Sequence, residues 1–348
     1  MEYVIDFLKE VDYSKVSKFI NNEWKKGHVL SKSKSLFDWQ YLNENKIYNF
    51  IIAKNNNEIF GVLGFIPSNR YDKSLINENI IWLALWKISE KIKTKGVGLR
   101  MLAFLQKNVE HHGIAVNGIG QKLPPMYKAL GYQSDNLNHY YSINENLKPK
   151  LISAPDNYNH PTPNTNGIEW ILLNQYSIEN FEKNFSYKII SNSGIKKTPN
   201  YFLNRYIKHP YYDYQVFLIP NPHQNEAALI AIRLDERENS KVMRIVDFYG
   251  DIEILNYAGY GLKKIINKLF IEYVDFWCYG IPNEIMNNFG FKIVDSKQDI
   301  IVPNYFEPFV NNNNEILFAY KNIKSFKNEF IICKGDGDQD RPNVLNNI

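Results

Sequence analysis

The sequence predicts an α/β protein made of two successive halves, and three observations lead there. Strand-like apolar runs alternate with helix-like runs along the chain. A two-glycine loop, Lys93-Thr94-Lys95-Gly96-Val97-Gly98-Leu99-Arg100, links one such strand to one such helix. Beyond a proline-rich stretch, five features of the first half come again in the same order.

The elements follow in chain order. Phe50-Ile51-Ile52-Ala53 and Phe60-Gly61-Val62-Leu63-Gly64-Phe65 are apolar runs joined by Asn55-Asn56-Asn57-Glu58, so Tyr48 to Pro67 reads as a hairpin. Asn79 to Ile88 reads as a further strand, and Leu99 to Gln106 as a helix. In the loop between them, two glycines let the backbone turn its N–H groups inward, and the helix adds the positive end of its dipole. That geometry binds a phosphate-bearing ligand. Lys93 and Lys95 stand beside it, as phosphate partners or as solvated charges. The loop lacks the Gly-x4-Gly-Lys-Ser/Thr pattern of a nucleoside triphosphate loop and the third glycine of a dinucleotide fingerprint. The plain alternative is an ordinary strand-to-helix turn.

The spacing from Lys93 to Gly98 resembles the coenzyme A loop of the GNAT acyltransferases, with Lys93 where that family has Gln or Arg. Met126-Tyr127-Lys128-Ala129-Leu130-Gly131-Tyr132 resembles the family's Tyr-x-x-Leu-Gly-Phe segment, and the order of elements over residues 1–145 is the family's order. The resemblance implies a mixed, mostly antiparallel central sheet flanked by helices, with acyl-coenzyme A as co-substrate. It implies that Trp86, Lys87 and Ile88 pair their backbone with the pantetheine arm, and that the Ile88 N–H points at the thioester oxygen. Lys93, Thr94, Lys95, Gly96, Val97 and Gly98 then hold the pyrophosphate. Tyr127 stands where many members place the proton donor to the leaving thiolate; a packed aromatic is the alternative.

A base for the acceptor amine is less defined. His28 lies in the segment that lines the acceptor side in the family, and its ordinary pKa suits the task. His209, Glu90, Asp247 or a water relay are the other choices, and His111-His112 reads as a helix-end cation. Trp39 and Tyr201 are candidates for stacking on a nucleobase, against a core role.

Residues 146–166, with Pro149, Pro155, Pro161 and Pro163, read as a linker between a domain at 1–145 and a second at 167–330. In the second, Phe202–Ile207 answers Phe37–Leu42, Tyr214–Leu218 answers Tyr48–Ile52, and Ala227–Ile232 stands for the second hairpin strand. Gly259-Tyr260-Gly261-Leu262 answers Gly96–Leu99, and Phe289-Gly290-Phe291 answers Leu130–Tyr132. The recurrence suggests a duplication. Asn256, Ala258 and Met286 replace Lys93, Lys95 and Tyr127, so the second copy is expected to be degenerate and to support the first. Cofactor binding by both copies is the alternative.

The remaining composition excludes more than it identifies. Across 348 residues, 41 basic and 37 acidic side chains leave a net charge of +4, which argues for no nucleic-acid partner. Two cysteines suit a reducing cytoplasm rather than a disulfide framework. No apolar run is long enough for a membrane span, and Glu2, Asp6 and Glu10 argue against a signal peptide. Residues 331–348 are expected to be a polar surface tail, held by Arg341. The alternating Asp336, Asp338 and Asp340 do not make a calcium loop, so no metal is expected. The whole chain resembles the tandem GNAT N-acyltransferases of nucleotide-linked amino sugars, of the anthrose-pathway type. That resemblance implies acyl transfer to the amine of a dTDP- or UDP-linked amino sugar for glycan synthesis, by a monomer whose duplicated fold replaces a dimer. An aminoacyl-tRNA-dependent transferase acting on peptidoglycan and a non-catalytic binding module are the alternatives.

Overall fold

The computed structural model describes residues 3–55, 58–155, 158–163, 167–295, 299–307, 309–323 and 330–343. The chain divides into two compact units, one of residues 1–134, 319–323 and 337–348, the other of residues 135–318 and 324–336. Each holds a mixed sheet flanked by helices, as the sequence predicts.

In the first unit the strands are β1 (Val4–Lys9), β2 (Ile47–Asn55), β3 (Glu58–Pro67), β4 (Ile80–Ile88), β5 (Gly113–Ile119) and β6 (Gln133–Asn136). β1 to β4 form an antiparallel meander, and β5 joins β4 in parallel. The strand Leu317–Lys321 stands between β5 and β6. The β2–β3 hairpin forms where expected; Asn56 and Asn57 of its turn lie outside the described residues.

Two glycines of β3 show what covers each face. Residues three apart in a strand point to opposite sides. A Cβ at Gly61 would meet Ile88 and, at 3.2 Å, the Met101 sulfur of the helix Val97–Asn108. A Cβ at Gly64 would meet the Phe50 ring and, at 3.2 Å, the Tyr41 ring. The long helix therefore covers one face. The other carries a cluster of Phe37, Tyr41, Tyr48 and Phe50, with ring centroids about 5 Å apart, a spacing at which each pair adds about 0.5–1.5 kcal/mol. Tyr41 ends the helix Lys34–Tyr41, which Ser33 caps by accepting from the Leu36 N–H at 3.1 Å. His28 caps the short helix Val29–Lys32 in the same way, its Nδ1 accepting from the Leu30 N–H at 3.2 Å.

The second unit contains β7 (Asn138–Ile143), β8 (Ile171–Leu173), β9 (Lys188–Ile189), β10 (Tyr214–Pro220), β11 (Glu226–Arg237), β12 (Ser240–Tyr249), β13 (Ile271–Tyr279) and β14 (Lys292–Ile293). Their order is β14-β7-β13-β12-β11-β10-β8, with β9 and the strand Ile332–Cys333 attached to β11 and β13. β12 and β13 are parallel, linked through the helix Gly259–Lys268. The expected boundary at residue 145 gives way here. β7 pairs with β13 and β14, while Leu317–Lys321 enters the first sheet, so each sheet takes one strand from the far end of the other's sequence.

A charged cluster is buried in this unit. Lys197 lies 2.5 Å from Asp247 and 2.8 Å from Asp336, and the Tyr206 hydroxyl donates to Asp247 at 2.7 Å. Burial raises Asp336 to about 6, against the pull of Lys197. Asp247, Cys333 and Asp336 offer donor atoms within 4.8 Å of one another, but the Lys197 ammonium already occupies the two carboxylates.

Two stability measurements test these placements. Lys197→Met leaves two buried carboxylates without their cation and is expected to cost about 3–5 kcal/mol in urea unfolding. His28, buried near Arg341 and Lys25, has its pKa lowered from 6.5 to about 3. Its depressed folded-state value means that stability is intact above pH 6.5 and falls as the unfolded state takes up the proton. From pH 7 to pH 5 this loss is about 2 kcal/mol. His28→Asn keeps a capping oxygen and is expected to abolish that part of the slope.

Candidate active site

β4 and β5 part company midway. Their parallel register runs from Ile80 opposite Gly113 to Leu83 opposite Val116 and stops, although β4 continues to Ile88 and β5 to Ile119. At the same point β4 has a bulge on its other edge. Phe65 faces Leu83 and Leu63 faces Trp86, so Gly64 alone stands opposite Ala84 and Leu85. Beyond the bulge, the Ser89 N–H donates to the Phe60 carbonyl at 2.7 Å. Antiparallel pairs alternate between bonded and non-bonded. Lys87 is therefore turned to β3, while the N–H and C=O of Trp86 and Ile88 face the opening left by β5.

The glycine loop lies next to this strand. Gly96 is the N-cap of the helix Val97–Asn108 at φ +79°, with no side chain capping it. A Cβ at Gly96 would meet nothing within 4 Å, and Lys93, Lys95, Gly96 and Arg100 are exposed. A Cβ at Gly98 would lie 3.2 Å from the Trp86 indole nitrogen, so the Trp86 side chain reaches back to the first turn of the helix. An exposed, uncapped first turn of a 12-residue helix, with three cations around it, is electrostatically suited to an anion.

The other candidates fall into place unevenly. Tyr127 is in the helix Pro124–Ala129, buried, with its ring edge-on to Tyr132 at 5.3 Å. Burial holds its hydroxyl well above the usual phenol range, so it is protonated and can donate. Lys87 pairs with Glu90 at 2.9 Å. His28 is neutral at physiological pH, with the Nδ1 lone pair committed to its helix cap, so its Nε2 carries a proton to donate. This geometry does not suit the expected base. His209 Nδ1 accepts from the Tyr211 and Tyr212 N–H groups, and Asp247 belongs to the buried cluster of the second unit. Trp39 packs on Tyr71 at 6.1 Å in the first unit. Tyr201, expected to stack on substrate, is a buried core residue of the second unit, packed on Phe202.

Sequence reasoning missed two features. The first is the fate of the second unit's equivalent opening. β12 and β13 pair in parallel up to Ile245 opposite Phe276, and β12 then bulges at Val246. Here Ile332–Cys333 pairs with Tyr279 and Cys278 of β13, and the Gly335 N–H donates to the Val246 carbonyl at 2.6 Å. The chain itself fills the gap. Its glycine loop is closed too, since a Cβ at Gly259 would lie 2.5 Å from Pro163, and Trp170 packs directly against Gly261. The second missed feature is the tail. Asp336, Asp338 and Asp340 are 0%, 7% and 2% exposed, so this is not the expected surface segment.

The sequence matches no protein-family model and no curated protein. The fold does match solved structures. A GCN5-related N-acetyltransferase from Anabaena variabilis superposes with a TM-score of 0.54 at 10% identity, over 93% of this chain and 73% of that one. A protein from Enterococcus faecalis described as a probable N-acyltransferase gives 0.53 at 8% identity, over 93% and 73%. At such identities the likeness speaks to architecture, and this chain has the fold of the GCN5-related N-acetyltransferases.

Proposed function

We propose that the first unit is an acyl-coenzyme A-dependent N-acyltransferase. The observation that supports it is the coincidence of two features: a strand whose backbone groups face an opening, and an uncapped, cation-flanked helix N-terminus beside it. A pantetheine arm has amide groups that pair with an extended strand, and a pyrophosphate suits the helix end. In this reading the N–H of Ile88 donates to the thioester oxygen as charge builds there. Lys93 to Gly98 hold the diphosphate, with Lys93 and Lys95 as cations. Tyr127 returns a proton to the leaving thiolate. Holding amine and thioester in attack geometry does most of the work, a contribution of about 7–11 kcal/mol in favourable cases.

The second unit, with its filled opening and closed loop, is read as a degenerate copy that binds no cofactor. The acceptor is read as a nucleotide-linked amino sugar and the protein as a monomer. Support for the sugar is the family resemblance of the sequence, with Trp39 as the aromatic left for a base. No helix among the described residues is long and apolar enough to cross a membrane.

The test follows free thiol with acetyl- or 3-hydroxybutyryl-coenzyme A and a panel of dTDP- and UDP-linked amino sugars. Thiol release that depends on an amine is expected. No release with any pair, together with no coenzyme A binding in calorimetry, overturns the reading. Gly96→Glu puts a carboxylate and a strained φ at the phosphate loop and is expected to weaken coenzyme A more than about 100-fold. Tyr127→Phe is expected to slow kcat about 100-fold and spare coenzyme A affinity.

A further inference from the structure

The chain returns to the first unit at Gly337, and where it lands is specific. Gly337 lies against Trp82 of β4, where a Cβ would be 3.4 Å from the indole ring. Two residues on, the Gln339 amide occupies the place a side chain would take at Gly118 of β5. Trp82 pairs with Ala115 one step before the two strands part, and Gly118 lies two residues past the last pair. The segment therefore crosses both strands at the mouth of their opening. Both contact points need glycine, with φ +71° at Gly337 and +79° at Gly118.

At Trp82 the face is defined as well. Trp82 stands opposite Ile66, which shares the side of Gly64 and hence of Tyr41. The helix Val97–Asn108 and its anion-suited end belong to the other side, with Trp86 and Ile88. Asp338 and Arg341 are close enough to act electrostatically on Tyr41, and Arg341 on His28. Arg341 Nε is 3.2 Å from Asp338 Oδ2. Burying such a pair is a poor way to add stability, because desolvation offsets the attraction. It is a reasonable way to build a polar wall.

We propose that Gly337–Arg341 is the acceptor-binding wall of the first unit's active site, with the Asp338 carboxylate accepting a hydrogen bond from the N–H of the incoming neutral amine and so orienting it. The proposal rests on the acyltransferase reading. Cofactor and acceptor then reach the opening from opposite faces of the sheet. The segment binds and orients, and it also keeps water from the thioester.

The experiment compares the full chain with a chain ending at Asp336 and with Asp338→Asn in the full chain. Coenzyme A affinity, by calorimetry, is expected to stay within about twofold in all three, which also reports an intact cofactor side. Thiol release from acetyl-coenzyme A without amine is expected to rise about fivefold or more on truncation, as water gains access. With dTDP-linked 4-amino sugars, Asp338→Asn is expected to raise the amine KM about tenfold with kcat little changed. Unchanged amine-free release after truncation overturns the proposal and makes the segment a strap. A higher amine-dependent kcat/KM after truncation also overturns it, since the segment is then a lid. No coenzyme A binding by the full chain sinks the acyltransferase reading itself, and this proposal with it.

Discussion

The first unit depends on a parallel strand pair that stops pairing. Every backbone N–H and C=O in a sheet interior needs a partner, and leaving one buried without any costs about 1–3 kcal/mol. When β5 leaves β4 after Leu83, the outward groups of β4 lose their ladder. The bulge opposite Gly64 then resets the phase, so that Trp86 and Ile88 present their groups to the opening while Lys87 keeps its bond to β3. An extended chain with amides of its own restores the ladder. Everything proposed for this unit, from the direction of the thioester to the side from which the amine comes, follows from that break.

The second unit meets the same constraint and answers it from within. Its parallel pair also ends at a bulge, at Val246, and the segment Ile332–Gly335 supplies the missing partners. The charged cluster of Lys197, Asp247 and Asp336 anchors that segment, and Tyr206 donates to Asp247 beside it. Pro163 and Trp170 close the glycine loop. Its loop, Asn256 to Gly261, carries no cation, and the gap beside it is filled. The positions of Tyr41 and Tyr206 also correspond, each near its bulge and each near the late C-terminal segment, at Asp338 in one unit and Gly335 in the other.

Much of the local architecture was legible in the residues. The hairpin, the strand before the glycine loop and the helix after it are short-range features, set by alternation, turn residues and a glycine at positive φ. What misled was long-range. Asn138–Ile143 lies inside the expected first domain at 1–145, yet its partners are β13 and β14. Gly335 to Arg341 has aspartate at every second position between glycine, glutamine and arginine, which on composition alone means solvent. Burial of Asp336 depends on Lys197 and a strand gap that the local sequence does not announce. His28 looked like a free imidazole; a helix that starts at the next residue, burial, and then the cations around it make it a neutral cap.

By itself, then, the sequence determined the elements and the anion-suited turn at Lys93–Gly98, because those depend on neighbours within a few residues of each other. It also placed the loop cations in the first half, at Lys93 and Lys95. Only the tertiary structure decided which strand closes which sheet, which of the two openings is filled, and which face the tail covers. Those outcomes are set by groups finding partners tens to hundreds of residues away, and a contact of that span leaves no periodic mark on the chain that makes it.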